Sequence, residues 1–335
     1  MKMDCVIILG PSGEFHPLVT EEFPKFTLPF MNTPLINLSL NYLVPFASKF
    51  FIVCLEKHVK TVNEILECAV PIEFITTTSY EGMGFIINIL KPRIKTSHFI
   101  MCKGDIYGLE PLKALLESFI KSNDDLYVSI SKSSKESPIM CIDTMNYLKM
   151  YNSNEIPLLK NQKYLVTIEY YIKDFFIFKT SGLGTLDNSL YCFKNNVLPF
   201  LIQNKLRIRV GENMIVQIRS MEDYLSQLDF KNHLLGSLES YVYNLVDPEC
   251  HLADNIEIED SVIGANVIIG DGCVVKRSII MDDAVIQNDC HIESCIVGRG
   301  CVIYYKSELR DCKVANKRDF KHTIKAFSNV FTNEW

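Results

Sequence analysis

Short apolar runs alternate with amphipathic segments from residue 3 to about residue 235. "MDCVIIL", "KFFIVCL", "VPIEFIT", "SHFIMCKGD" and "DLYVSIS" read as strands, being short, apolar and rich in β-branched and aromatic residues. "NTPLINLSLNYLVPF", "VKTVNEILECA", "GFIINILKPRI" and "LEPLKALLESFIKS" carry helical spacing, and Asn32 or Thr33 caps the first with Pro34 in its opening turn. Strand–helix alternation at this spacing predicts a Rossmann-like α/β domain, a mostly parallel sheet with helices on both faces. Ligands of such sheets sit at the carboxyl ends of the strands, where residues 10 to 25 and Gly104-Asp105 fall.

Beyond about residue 245 the period changes. Aliphatic residues recur at Val246, Leu252, Ile258, Ile263, Ile269, Val275, Ile280, Ile286, Ile292, Val297, Ile303, Leu309 and Val314, spaced six, six, five. That is a 17-residue coil of three short strands, and the position two residues before each aliphatic is mostly small, as at Ser261, Cys273, Ser278, Ala284, Cys290, Cys295, Cys301 and Cys312. One large and one small inward side chain per strand fill a narrow triangular prism, so the pattern predicts a left-handed parallel β-helix of hexapeptide repeats. The expected organisation is a nucleotide-binding-type domain over 1–235, a β-helix of about four coils over 245–314, and a short basic tail over 315–335. The tail, with Lys313, Lys317, Arg318, Lys321 and Lys325 against Asp319, reads either as a docking segment or as a solvated terminal helix.

The same register sorts the outward positions onto three faces. Val262, Ile279 and Ile296 share one, Ile268, Val285 and Val302 a second, and Val274, His291 and Glu308 a third. Two apolar faces beside a polar one make the first two sets interface candidates, covered by the first domain, another chain or both. Strand propensity alone is the plainer account of their β-branched residues.

Composition narrows the setting. The chain has 335 residues, is 48% hydrophobic and 22% charged, and carries a net charge of −6, with no global pull toward nucleic acid or anionic membrane. No apolar run reaches the roughly 18 residues of a membrane span. A cytoplasmic location is expected, with no membrane and no direct nucleic-acid partner. Twelve cysteines occur without a CxxC pair, and the β-helix register assigns half of them to a dry interior, so neither a metal nor a cofactor is expected.

Candidate chemistry centres on "GPSGEFHPLVTEEFPKF", which follows the first strand. Gly10 and Gly13 would let backbone N–H groups approach a phosphate, and Lys25 would bring an ammonium there. With the β-helix, this loop resembles the sugar-phosphate nucleotidyltransferases. That resemblance implies a loop arginine, where this chain has Glu14 or Phe15 according to gap placement. It also implies a base-binding GTA segment, rendered here "MGFII", with Gly84 kept but Phe85 and Ile86 filling the base pocket. Asp105 matches one metal aspartate, and "QIRSMEDYL" puts Gln217 in place of the other. A magnesium site short of one carboxylate loses much of what offsets dehydration of the ion, so Gly10, Gly13, Lys25, Gly84, Asp105 and Gln217 read as a vestigial nucleotide site with no catalytic residue. Lys25 then persists as an isolated cation, and Asp105 as an isolated carboxylate whose plainer role is to cap the next turn.

The wording "FPKFTLPFMNTPLINLSLNYL", "IKTSHFIMCKGDIYGLEPLKALLESF" and "SIIMDDAVI" resembles the gamma subunits of eukaryotic translation initiation factor 2B. This resemblance implies a non-catalytic subunit of a guanine-nucleotide exchange factor. Its partners would be the epsilon subunit, the remaining exchange-factor subunits and initiation factor 2. The alternative is a sugar-phosphate nucleotidyltransferase of the mannose-1-phosphate guanylyltransferase kind, with Lys25 or His16 supplying the missing cation, or the inactive regulatory subunit of one.

Overall fold

The computed structural model describes residues 2–11, 15–108, 112–132, 138–151, 164–167, 170–185, 191–212, 215–229 and 244–333. Two compact units divide the chain: Met1–Pro11 with Ile36–Gln217, and Ser12–Leu35 with Ile218–Trp335. No helix among the described residues is long and apolar enough to cross a membrane.

The first unit is built on a seven-stranded sheet. Its elements are β1 (Met3–Ile8), α1 (Leu35–Leu43), β2 (Ala47–Leu55), α2 (Val59–Ile65), β3 (Ile72–Thr77), α3 (Met83–Leu90), β4 (His98–Lys103), α4 (Lys113–Ser122), β5 (Leu126–Lys132), β6 (Tyr170–Lys179), α5 (Leu198–Gln203) and β7 (Ile208–Glu212). The strand order is β7-β5-β6-β4-β1-β2-β3. Every residue of β1 is buried, as a central strand covered on both faces requires. The five strands read from the apolar runs are all present. Pro34, expected in the first turn of α1, instead joins Thr33 in a two-residue strand paired with Pro29–Phe30, and the helix begins after it.

One strand breaks the parallel rule. β6 runs antiparallel to both neighbours, and its register against β5 shifts between Ile172 and Phe176. Three residues, Lys173 to Phe175, stand there opposite Ser129 alone. A bulge of this kind re-aims side chains, and this one carries the only two charges in the strand's buried centre.

In the second unit, three parallel ladders of six, four and five strands form the prism. The coils do not stop at 314: Lys325–Phe327 and Val330–Phe331 add further rungs, pairing with Glu308–Arg310 and Lys313–Val314. The expected tail, whether docking segment or helix, is therefore corrected to β-helix as far as Phe331. Its lysines hid the repeat because they occupy outward positions, while Phe320, Ala326 and Phe331 keep the inward pattern. Corners recur with the coil: Asp260, Arg277, Ser294, Asp311 and Ser328 all have positive φ, which turns the chain tightly at one edge of the prism.

Stacked thiols fill the small inward positions. Cys273, Cys290, Cys295, Cys301 and Cys312 are buried and unbridged, and Cys273 and Cys301 donate to the carbonyls of Gln287 and Ala315 at 3.0 and 2.8 Å. Burial pushes the Cys295 and Cys301 thiols up to about 12, so they are inert small hydrophobes.

Residues 15–34, which precede α1, pack within this second unit. Asn32 donates to the Ile263 carbonyl at 2.8 Å, Asn316 to that of Leu18 at 2.6 Å, and Lys317 pairs with Glu22. Phe15, fully buried, meets the ring of Tyr224 edge-on at 6.5 Å, and the Tyr224 hydroxyl donates to Pro29 O at 2.6 Å. The helix carrying Tyr224 (Met221–Leu225) is fixed by a capping box between Ser220 and Asp223.

The tight prism makes a direct prediction. Cys290→Leu, which adds volume at a stacked inward position, is expected to destabilise the protein by about 1–3 kcal/mol through overpacking, read as a lower midpoint in urea unfolding. Val274→Thr, on an outward position, is the control expected to leave the midpoint unchanged.

Candidate functional site

A cavity of about 370 Å³ opens at the carboxyl ends of β1, β2, β3 and β4. Gly10, Tyr80, Ile86, Lys103, Asp174 and Lys194 are among its lining residues. Gly10 is where the loop reading put it. Ile86 lines the wall as expected, but Phe85 does not; its ring lies against Tyr191 at 6.4 Å, and the cavity is left open. The expectation that both side chains fill the pocket is corrected accordingly.

Gly84 sits in the first turn of α3. Its N–H donates to the Tyr191 carbonyl at 2.9 Å, so this helix end is already capped by the chain. A Cβ at the neighbouring Gly82 would stand 2.3 Å from that same carbonyl, which explains the glycine. The Tyr191 hydroxyl donates to Glu81 at 2.7 Å, as does that of Ser79.

Beneath the cavity lies a charged cluster that the sequence reading missed. Phe175 pairs with Cys102, which brings Asp174 beside Lys103 on the adjacent strand, Nζ to carboxylate 3.0 Å. Lys194 reaches the other oxygen at 2.9 Å and donates to Ile172 O at 3.0 Å. It stands on a wide helical turn, Phe193–Val197, where Val197 N donates to Cys192 O before the chain enters α5. Burial pushes the Asp174 carboxyl up, but Lys194 and Lys103 outweigh it and hold the group ionised, well below the usual carboxylate range. The signal was present in "YYIKDFFIF": a lysine–aspartate pair interrupting an apolar strand.

Gln217 completes the cluster from the strand Ile215–Gln217. Its amide N donates to Asp105 at 3.2 Å and to Asp174 at 3.3 Å, while its amide O accepts from Asp174 N at 3.3 Å. All three side chains are buried. The two positions matched to metal aspartates therefore do come together, and Asp105 is neither isolated nor merely a turn cap. Whether these residues suit a divalent ion is a question of donors. Both carboxylates accept from the same amide, Asp174 is also held by two ammonium groups, and no group of three or more potential metal ligands occurs among the described residues. The arrangement does not fit magnesium.

Lys25 is placed differently from expectation. It is buried in a short turn, Lys25–Thr27, of the second unit, its ammonium 4.8 Å from the centroid of Phe15. Phe15, at one of the two positions proposed for the arginine, is thus a packed ring. Gly13 and Glu14 lie outside the described residues. Of the interface candidates, Val262, Ile279 and Ile296 are buried within the chain itself and are not available to a partner, whereas Ile268 is 43% exposed and Val285 and Val302 are half-buried.

Known proteins share this plan. Residues 242–324 match the GMPPB C-terminal domain family. The bifunctional protein GlmU of Methanococcus aeolicus is 22% identical over 281 residues, 82% of this chain, and the chain spans 60% of that relative's length. The crystal structure of HddC from Yersinia pseudotuberculosis superposes with a TM-score of 0.52 at 18% identity, covering 68% of this chain and 99% of that one. This chain has a sugar-nucleotidyltransferase-like fold with a hexapeptide-repeat C-terminal domain. Its left-handed β-helix and its Rossmann-like sheet are those read from the sequence.

The cluster sets a pH dependence. Because the folded-state pKa of Asp174 is depressed, its contribution is present above the ordinary aspartate value and is lost as pH falls through the folded value. Asp174→Asn is expected to cost about 3 kcal/mol at pH 7, and the difference from wild type should shrink below about pH 4. Urea unfolding at pH 7 and at pH 3 checks this.

Proposed function

We propose that this chain is a sugar-phosphate nucleotidyltransferase-like protein that does not itself transfer nucleotides and serves, in the cytoplasm, as a non-catalytic subunit of a larger assembly. The observation that carries the reading is that Gln217, at the second position matched to a metal aspartate, offers an amide that donates to Asp105 and Asp174, so the one matched carboxylate is already satisfied within the protein. The buried Phe15 supports it, since a ring packed on Tyr224 supplies no charge to a triphosphate.

The chain is similar to GlmU, to HddC and, over residues 242–324, to the GMPPB C-terminal domain family. These likenesses favour as partner an active sugar-phosphate nucleotidyltransferase, of the mannose-1-phosphate guanylyltransferase kind, over the translation factor. The second reading, a subunit that pairs with the epsilon subunit of initiation factor 2B and promotes GDP/GTP exchange on initiation factor 2, is favoured by one observation. That observation is the wording of residues 23–43 and 94–119, which resembles the gamma subunits.

Two outcomes are expected. Purified protein given sugar phosphates, nucleoside triphosphates and magnesium should release no pyrophosphate above a no-enzyme control, and neither Gln217→Asp nor Phe15→Arg alone should restore release. Phe15→Arg should instead lower the thermal midpoint, because it buries a charge against Tyr224. Release by the wild-type chain, abolished in Asp105→Ala, would overturn the reading. The partners are separated by mass spectrometry of proteins co-purifying with the tagged chain: a pyrophosphorylase supports the first, initiation-factor subunits the second.

A further inference from the structure

A second cavity, of about 330 Å³, shares no lining residue with the one at the carboxyl ends of β1 to β4. It opens between the turn after α5 and the antiparallel pair of Met140–Asp143 and Leu148–Tyr151. β5 and β7 run in the same direction as β4, and Asp124 and Arg207 stand just before them. The cavity therefore lies toward the amino ends of these strands, the end of such a sheet opposite to its usual ligand site. Three cations line it, Lys149, Lys205 and Arg207, beside an apolar wall of Leu148, Ile202 and Leu206. No carboxylate is among the described residues of the lining.

Two of the three cations have structural partners. Asp124, fully buried, is held by Arg209 at 3.0 Å and Arg207 at 3.3 Å, and accepts from the hydroxyls of Tyr147 and Ser122. Lys149 pairs with Asp143 at 3.1 Å. The Arg207 guanidinium and the Lys149 ammonium both lie over the Tyr147 ring, 5.2 and 5.5 Å from its centroid, and their side chains are still 53% and 43% exposed. Arg207 spends Nη2 on Asp124 and Tyr147, which leaves the N–H donors of Nε and Nη1. Lys205 is different: its ammonium has no partner among the described residues. Its φ is +60°, the left-handed conformation that closes α5, with Leu206 N donating to Leu201 O at 3.1 Å, and glycine is the residue that suits such a position. The helix dipole favours a cation near this end, but any outward direction would serve that, and this side chain lines the cavity. Asp124, Asp125 and Asp143 offset Arg209, Arg207 and Lys149, and Glu117 offsets Lys121 on the far side of Arg209, so the charge of Lys205 is uncompensated.

We propose that this cavity is a second binding site, separate from the nucleotidyltransferase-type cavity, for a small dianionic oxyanion on a short apolar body, such as a phosphate monoester or a dicarboxylate. The anionic groups meet the Lys205 ammonium, Nε and Nη1 of Arg207 and the Lys149 ammonium, and the body rests on Leu148, Ile202 and Leu206. A volume of about 330 Å³ with an apolar wall and a few convergent cations is that of a small-molecule site. Its chemistry does not depend on whether the chain transfers nucleotides.

Titration of phenyl phosphate and, separately, of phthalate into the full-length chain, followed by the methyl NMR signals of its isoleucines, leucines and valines, locates the site as well as measuring affinity. Both probes are expected to shift Leu148, Ile202 and Leu206 saturably, less tightly as salt is raised, while benzyl alcohol shifts none of them. Tighter binding of phenyl phosphate assigns the site to phosphate esters, and tighter binding of phthalate to carboxylates. Phenyl phosphate entering the first cavity moves Val53 and Ile86 and is read separately. Lys205→Gly should weaken both probes by about fivefold or more, the loss of one charged contact. It should leave the thermal midpoint unchanged or raised, since glycine relieves the left-handed conformation, and Lys205→Asn, which also tolerates that conformation, should behave alike. No saturable shift at Leu148, Ile202 and Leu206 with either probe, shifts confined to Val53 and Ile86, or unchanged affinity in both folded Lys205 variants would overturn the proposal.

Discussion

A carboxylate in the middle of a buried strand has to be compensated, and much of the first unit's odd local structure follows from that. Asp174 follows Lys173 in the otherwise apolar buried centre of β6, where an unpaired charge would cost several kcal/mol. Lys103 meets it from β4, Lys194 from the wide turn before α5, and Gln217 from the strand Ile215–Gln217. Local departures from regular geometry accompany the cluster: the register shift of β6 against β5, the π-type turn at Phe193–Val197 that carries Lys194, and the burial of Gln217. The cluster is self-consistent because every member satisfies another. For the same reason, its carboxylates are not held in reserve for a metal ion.

The second unit shows the same substitution of packing for charge. A loop arginine would have to be solvated or paired with an anion, whereas Phe15 is fully buried, with the ring of Tyr224 edge-on to it and the Lys25 ammonium over its face. Lys25 in turn gains the ring face as a partner, worth about 0.5–2 kcal/mol depending on its desolvation. Residues that the loop motif assigned to ligand binding have become part of the scaffold, tied to the β-helix through Asn32, Asn316 and Glu22. Motif spacing survives such a change, since it records the path of the backbone, whereas the chemistry depends on which side chains point where.

That distinction explains what the sequence disclosed. The strand–helix alternation and the 17-residue coil are repetitive, and repeated hydrophobic spacing specifies an element whatever its neighbours do. That Asp105 and Gln217 belong to one site was legible because both sit in recognisable motif positions, but their contact was not, since Asp105 reads from the sequence as an isolated carboxylate. Asp174 and Lys194 were not, because their meeting depends on an antiparallel strand order and on a bulge, both long-range facts without a local signature. The last β-helix rungs were hidden for a different reason: lysines at outward positions 313, 321 and 325 resemble a solvated tail, and only the inward residues carry the period.

The β-helix separates its two kinds of position cleanly, and this bears on an assembly role. Inward residues fix the coil, so outward residues can vary without disturbing it, and differences among the three faces are chemically meaningful. The polar face pairs its own charges, Lys276 with Glu257 and Glu259, and Lys325 with Glu308. Exposed pairs of this kind stabilise little but keep the face soluble. The Val262, Ile279 and Ile296 face is enclosed by the chain. The stripe of Ile268, Val285 and Val302 is apolar and still reached by solvent, with Ile268 at 43% exposure against 2% for Val262. Strand propensity accounts for β-branched residues on every face and cannot account for one face being enclosed and another open. Under the proposed role, that open stripe is where the fold retains unburied apolar surface for a partner.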